Sequence, residues 1–371
     1  MNVESSVLER YSKGAQSAQP SLCCAVDYDR ELLRILPEEI IEKDYGCGDP
    51  SRFIRAGEVV LDLGSGSGKI CYIAAQLVGE RGAVIGIDMN DDMLFLARKY
   101  QSEIARKIGS DRVSFRKAYI QDLRLDLEAV DRYLCDKPIL NSTDLARFNA
   151  WKSEQRTRFP LIADNSVDLV VSNCVLNLVD EADKRSLLDE IFRVTKPGGR
   201  VAIADIVSDE AVPDHLKVDP MLWSGCISGA MQEQSFINAF VKAGFQGVCI
   251  AKWDDSAWQT IEGIEFRSIT VTAFKGRGRE CLDRGQAVIY RGPFSQVHDD
   301  DGHHYPRGER IAVCERTYTM LIERYPDDFI GINPALAMEP RTWCAPAGTT
   351  RPAGETKGGL HSQNVPGGAC C

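Results

Sequence analysis

The sequence predicts an α/β fold in which a parallel sheet carries helices on both faces. Three observations predict it. Strand-like and helix-like runs alternate from residue 57 to about 207, the rhythm of βαβ units. A glycine-rich segment, Gly64-Ser65-Gly66-Ser67-Gly68, closes one strand and opens a helix. Of 371 residues, 44% are apolar and 26% charged, a globular balance at the length of about two domains. The net charge of −10 (44 basic, 54 acidic residues) argues against general affinity for nucleic acid or anionic membrane. No run approaches the roughly 20 apolar residues of a membrane span. The opening MNVESSVLERYSKGAQ lacks the basic and then apolar pattern of a signal peptide. A soluble, cytoplasmic protein is expected, with neither nucleic acid nor membrane as partner.

Residues 1–50 read as a helical lead-in, because Leu32, Leu33, Leu36, Ile40 and Ile41 recur at near-helical spacing. The core follows, over 51–207. Residues 59–63 form a short apolar run ending in glycines, 70–79 is helical in pattern, and 84–87 is apolar again. The spacing over 91–108 predicts one long amphipathic helix opening on Asn90 as N-cap. Three more strands are expected at 113–115, 167–171 and 201–206, and a helix over 183–194 stops before Lys196-Pro197-Gly198-Gly199. Residues 126–158 interrupt the rhythm as a polar, helix-leaning insertion.

A further segment, 208–278, comprises a loop through 214–229, a helix near 236–243 and strands at 247–253 and 266–274. A C-terminal α+β segment, 279–344, has strand-like runs at 286–297 and 304–314 around an Asp-Asp-Asp-Gly turn, then a helical run from Tyr318. Six glycines and three prolines in the last 27 residues predict a disordered tail over 345–371.

The glycine segment selects its ligand by what it lacks. A Walker phosphate loop needs glycine at 63 and Ser or Thr at 70, where Leu63 and Ile70 stand. A dinucleotide fingerprint needs glycine at Lys69. What remains is GxGxG preceded by Asp62, which suits a ligand carrying an amino group in place of phosphates. Asp88 ends the next strand, where a carboxylate can accept both ribose hydroxyls. These features, with Lys196-Pro197-Gly198-Gly199, resemble the class I S-adenosylmethionine methyltransferases over roughly 57–207. The resemblance implies a Rossmann-like core. It sets Asp62, Gly64, Ser65, Gly66 and Gly68 along the methionine part, Asp88 on the ribose, and Met89 with Ile120-Gln121-Asp122 around the adenine.

The thirteen cysteines are too few for a disulfide scaffold, which would need roughly 8–10%, and no CxxC pair points to a zinc ribbon. Cys71 follows the glycine loop and Cys174 follows the fourth strand, so both fall on the rim where open α/β sheets bind ligands. Arg10-Tyr11, Tyr45-Gly46-Cys47-Gly48, the loop with Cys71, Ser172-Asn173-Cys174-Val175-Leu176-Asn177-Leu178 and Cys226-Ile227-Ser228-Gly229-Ala230 resemble, in order, the motifs of the arsenite methyltransferases. So does the run from Val288 through Gly302. The 126–158 insertion, Ser224-Gly225 and Gln232-Glu233 depart from that pattern.

By this resemblance Cys71, Cys174 and Cys226 bind trivalent arsenic, and Cys47 is the redox partner, able to form a disulfide with Cys71. Tyr11 and Asn173 lie against the cofactor. The implied reaction methylates arsenite and methylarsonous acid with S-adenosylmethionine. The implied co-substrate is a thiol reductant, thioredoxin or glutathione, and the chain acts as a monomer. The alternatives are a C-methyltransferase of a quinone- or sterol-like acceptor and a non-catalytic arsenite-buffering protein. Cys23-Cys24 and Cys370-Cys371 are candidate carriers of arsenite or free thiols with no catalytic part, and Cys281 and Cys314 read as packing residues, with a second arsenic site as the alternative. His298, His303 and His304 beside three aspartates read as a polar hairpin loop.

Overall fold

In a computed structural model, the described residues are 3–17, 19, 26–277, 280–334, 338–343 and 345–356. The chain divides into two compact units, 1–276 and 277–371. In the first, α1 (Val3–Gln16), α2 (Arg30–Leu33) and α3 (Glu38–Glu42) lead in. Then come β1 (Val59–Leu63), α4 (Lys69–Val78), β2 (Ala83–Asp88), α5 (Asp91–Lys99), α6 (Gln101–Ile108) and β3 (Val113–Lys117). The insertion forms α7 (Leu127–Asp136) and α8 (Ser142–Arg158), followed by β4 (Val167–Asn173), α9 (Lys184–Val194) and β5 (Thr195–Ser208). The unit closes with α10 (Asp214–Lys217), α11 (Pro220–Ser224), β6 (Met231–Gln232), α12 (Glu233–Lys242), β7 (Gln246–Trp253), β8 (Gln259–Ile261) and β9 (Ile264–Phe274).

The main sheet runs β3-β2-β1-β4-β5-β9-β7, with β6 on β5 and β8 on β9. Its first five strands are parallel, while β9 and β7 are antiparallel additions. A strand buried on both faces has no need of polar alternation, and β1 shows the consequence. Val60 packs with α4, α5 and α6, whereas Leu61 and Leu63 pack with α9 and α12 on the other face. Period two therefore aims Asp62 toward α4, which fixes its surroundings before any ligand is considered.

Two expected elements change. The helix over 91–108 breaks at Tyr100 (φ −102°, ψ 0°), where Tyr100 and Lys99 both turn to Glu39, Lys99 at 2.6 Å. Asn90 caps α5 as expected, accepting from the backbone N–H groups of Asp92 and Met93. The strand expected at 201–206 instead begins at Thr195 and passes through Pro197-Gly198-Gly199. A bulge opposite Val167–Leu169 and two backbone bonds with Lys275 absorb those residues.

The second unit contains β10 (Leu282–Asp283), β11 (Ala287–Tyr290), β12 (Gln296–His298), β13 (His304–Pro306), β14 (Ile311–Ala312), α13 (Glu315–Arg324), β15 (Phe329–Ile332) and β16 (Arg341–Thr342). Its core joins Val288, Tyr290, Tyr305, Ile311, Leu321 and Phe329. The Asp-Asp-Asp-Gly turn links β12 to β13, with His303 Nδ1 2.8 Å from Asp299. Disorder expected from residue 345 does not hold for 345–356. Thr350 bridges Ile311, and Arg351 pairs with Asp283 at 2.7 Å. The rest of the tail with Cys370 and Cys371, together with Cys23, Cys24 and Cys344, lies outside the described residues. No helix among the described residues is long and apolar enough to cross a membrane.

Candidate active site

A cleft of about 1000 Å³, part of it open to solvent, lies at the carboxyl ends of β1, β2 and β4. From β1 and the loop after it come Asp62, Gly64, Ser65 and Gly66; from the end of β2 come Asp88 and Met89. Ile120 and Gln121 follow β3, Asn173 and Cys174 end β4, and Tyr11 reaches in from α1. The loop can fold back under a ligand because Gly64 and Gly66 hold φ of 70° and 49°, in the left-handed region where side chains are strained. Gly68 does not line the cleft. It caps α4, and a Cβ there would stand 2.9 Å from the Phe115 ring, so its role is packing.

The cleft is acidic. Asp62 is 2% exposed, and burial pushes its carboxyl up to about 7. Asp88 is also raised by burial, yet its two oxygens accept from the backbone N–H groups of Gly66 (2.8 Å) and Asn90 (2.9 Å). Asp44 joins the wall and pairs with Lys69 at 2.5 Å. Buried carboxylates that hold their places without a full complement of cations suit a positively charged ligand.

The thiols do not gather as expected. Cys71 lies beneath the sheet with α4, fully buried, and donates to Asp62 Oδ2 at 3.2 Å. Gly86 on β2 leaves the room, since a Cβ there would stand 2.8 Å from Cys71 Sγ. Burial first, then the Asp62 carboxylate, push the Cys71 thiol well above its usual range. Among the described residues, Cys71 does not join the cluster that holds the other two expected arsenic ligands. Cys174 and Cys226 do meet, and the third corner is Asp205, all three ligating atoms lying within 4.8 Å of one another. Cys226 Sγ donates to the Cys174 carbonyl at 3.3 Å, and Tyr11 hydrogen-bonds the Cys226 thiol.

Asp205 was missed by sequence reasoning. It sits in the apolar run of β5, and only the fold turns it to the rim. Burial raises its carboxyl to about 6, although the backbone N–H groups of Ile206 and Leu176 hydrogen-bond to it. The Leu176 bond pins the turn that carries Cys174. Cys174 and Cys226 themselves adopt φ of 60° and 63°, a conformation uncommon outside glycine, Asn and Asp and found where surrounding structure imposes it.

In this structure the partner of Cys47 is Cys174, with Cα atoms 5.8 Å apart, and not Cys71. Asn173 makes the approach possible. Its Oδ1 accepts from the N–H groups of Cys47 (2.9 Å) and Gly48 (3.0 Å), and its Nδ2 donates to the Gly48 carbonyl at 2.8 Å. A Cβ on Gly46 would stand 2.1 Å from Asn173, and one on Gly48 would stand 2.5 Å from Ala204. The Gly-Cys-Gly sequence is thus the condition for threading Cys47 to Cys174. Asn173→Ala leaves two buried N–H groups without acceptors and is expected to cost about 2–4 kcal/mol. A lowered denaturant midpoint and slower Cys47–Cys174 pairing in a thiol titration would show it.

Comparison with known proteins identifies the family. A family model described as a methyltransferase domain matches residues 54–154 and 152–244, and a domain of unknown function (DUF8838) matches 277–361. An arsenite methyltransferase of Aquipseudomonas alcaligenes is 33% identical over 335 residues, covering 85% of this chain and 86% of that protein. One from Mus musculus is 31% identical, covering 82% and 74%. A solved structure, CrArsM, an arsenic(III) S-adenosylmethionine methyltransferase from Chlamydomonas reinhardtii, aligns at a TM-score of 0.56 and 28% identity, over 89% of this chain and 100% of that one. A likeness that spans both units as well as the methyltransferase core places the chain in the arsenite methyltransferase family.

Proposed function

We propose that this chain methylates trivalent arsenic held by Cys174 and Cys226, with S-adenosylmethionine as methyl donor. One observation carries the reading. Among the described residues, Cys174 alone both lines the acidic cleft and belongs to the thiol cluster, so donor and acceptor sites share an edge. The cleft fits the donor. Asp62 is a buried carboxylate for its ammonium group, Asp88 ends β2 where ribose hydroxyls are accepted, and Ile120 and Gln121 flank the adenine position. When bound, S-adenosylmethionine supplies an electrophilic methyl group, and its transfer to the arsenic lone pair raises the metalloid from the trivalent to the pentavalent state.

The chain's own residues do the rest. Reduction of the Cys47–Cys174 disulfide frees the Cys174 thiol. Arsenite, a soft trivalent hydroxide, then condenses with the Cys174 and Cys226 thiols, each proton leaving with a hydroxide as water. The remaining ligand is a hydroxide, or a methyl group from an earlier turnover. Positioning supplies most of the acceleration, because a lone-pair nucleophile needs no general base; well-oriented groups gain roughly 7–11 kcal/mol. Return to trivalent arsenic takes two electrons. Cys47 attacks the arsenic-bound sulfur of Cys174, the S–S bond forms, and the S–As electron pair passes to arsenic. An external reductant, thioredoxin or glutathione, then reopens the disulfide by exchange.

The test incubates the reduced protein with arsenite, S-adenosylmethionine and a dithiol, and separates arsenic species by chromatography with elemental mass detection. Methylated arsenic is expected. Bound arsenite without methylated product would reduce the protein to an arsenite buffer, and no arsenite binding at all would turn attention to a carbon acceptor.

A further inference from the structure

The second unit holds a pair of thiols of its own. Cys281 precedes β10 and Cys314 precedes α13, 33 positions later in the chain. The fold packs α13 against β10, and Arg284 ties the two elements together with an ion pair to Glu315 at 3.1 Å. Trp343 N–H donates to the Cys281 carbonyl at 2.7 Å, fixing the strand from its other side. The two thiols lie close enough to interact, and neither is in a disulfide. Cys314 is buried and Cys281 is partly open, so the pair has one anchored and one approachable member.

Two details separate this pair from packing. Cys314 stands at the N-cap of α13 and makes no side-chain cap bond. A Ser, Thr, Asp or Asn there would stabilise the helix, and cysteine forgoes that gain. Its Sγ instead contacts the Thr317 hydroxyl at 3.4 Å. Moreover, burial first and then the Cys314 thiol hold Cys281 above its usual pKa. A divalent cation must drive protons off its thiol ligands. A trivalent hydroxide brings its own proton acceptors, releasing one water for each thiol engaged. Zinc would also need about four ligands. Among the described residues, no third Cys, His, Asp or Glu completes a cluster here.

We propose that Cys281 and Cys314 form a bidentate site for a monosubstituted trivalent arsenical. Such a ligand carries one carbon substituent and two exchangeable hydroxyls, and it needs two sulfurs where arsenite would take three. The condensation R–As(OH)2 + 2 thiols gives R–As(S)2 + 2 H2O, with no change of oxidation state. The site stands independently of the methylation proposed above.

The test titrates the reduced full chain with phenylarsine oxide in a Cys174→Ser, Cys226→Ser background, which removes the thiols of the proposed arsenic site. Digestion and mass spectrometry are expected to find one arsenic bridging the Cys281 and Cys314 peptides. Cys281→Ser or Cys314→Ser, added singly, should weaken capture on the order of 100-fold as the second attachment is lost. Cys314→Ser supplies a capping side chain that Cys314 does not, so loss of capture there would not reflect a melted helix, and circular dichroism checks this. Undiminished capture in both single variants would overturn the site, as would a bridge located on Cys370 and Cys371. Cys281→Ser in the otherwise native chain should leave arsenite methylation unchanged.

Discussion

Cys226→Ser is expected to lower methyl transfer to arsenite on the order of 100-fold or more, because one thiol without its partner forfeits the effective concentration of the second. In the site proposed above, Cys226 contributes only to the arsenic side. Its Sγ reaches the Cys174 carbonyl and Tyr11, and it takes no part in lining the cleft. Affinity for S-adenosylmethionine should therefore be unchanged in the variant. Serine fits the same volume and the same left-handed backbone, so the loss would report ligand chemistry in place of misfolding. Initial rates by arsenic speciation and cofactor affinity by calorimetry separate the two effects. An undiminished rate would remove Cys226 from the substrate site.

The second large effect concerns Asp62. Burial sets its carboxyl at about 7, so near neutral pH the residue is divided between a neutral and a charged form. Only the charged form pairs with the donor's ammonium group. The sign follows: as pH falls below about 7 the carboxyl takes up a proton, and each further unit lowers the carboxylate fraction about tenfold. Cofactor affinity should rise with pH through about 7. Asp62→Asn removes the charge and the titration together. Hydrogen bonds to charged groups contribute about 1.5–3 kcal/mol, so affinity at pH above 7 should fall roughly 10–100-fold, and its slope across neutrality should vanish. Calorimetric titration of both proteins from about pH 6 to about pH 8 decides it. A wild-type affinity flat across that range would show that Asp62 is not the ammonium partner.

Cys71 enters this argument unexpectedly. Its thiol donates to the very oxygen of Asp62 that would otherwise be more basic, so it supports the Asp62 carboxylate from below the sheet. Its sequence position directly after the glycine loop invited an arsenic-binding role. Gly86, interrupting the strand Ala83–Asp88, was the available signal to the contrary. A glycine inside a strand marks close approach by another group, and here that group is the Cys71 sulfur.

What the residues determined by themselves was periodicity and local chemistry. Apolar runs of strand length, the Asn90 cap and the glycine loop specify units that each form from neighbours in the chain. The alternation of those units restricts the sheet to a parallel core with its ligand rim at the carboxyl ends. Asp62, Asp88 and the cleft-lining loops were legible for that reason. The grouping of thiols was not, because it depends on which face a residue presents and on how far a loop can travel. Period two buries Asp62 and turns it to Cys71; Asn173 and two bare glycines bring Cys47 across 127 positions to Cys174. Asp205 shares its strand with Ala204 and Ile206 and reads as core until β5 delivers it beside two sulfurs. Spacing along the chain cannot decide such meetings, since the distances that matter close only when the sheet stacks.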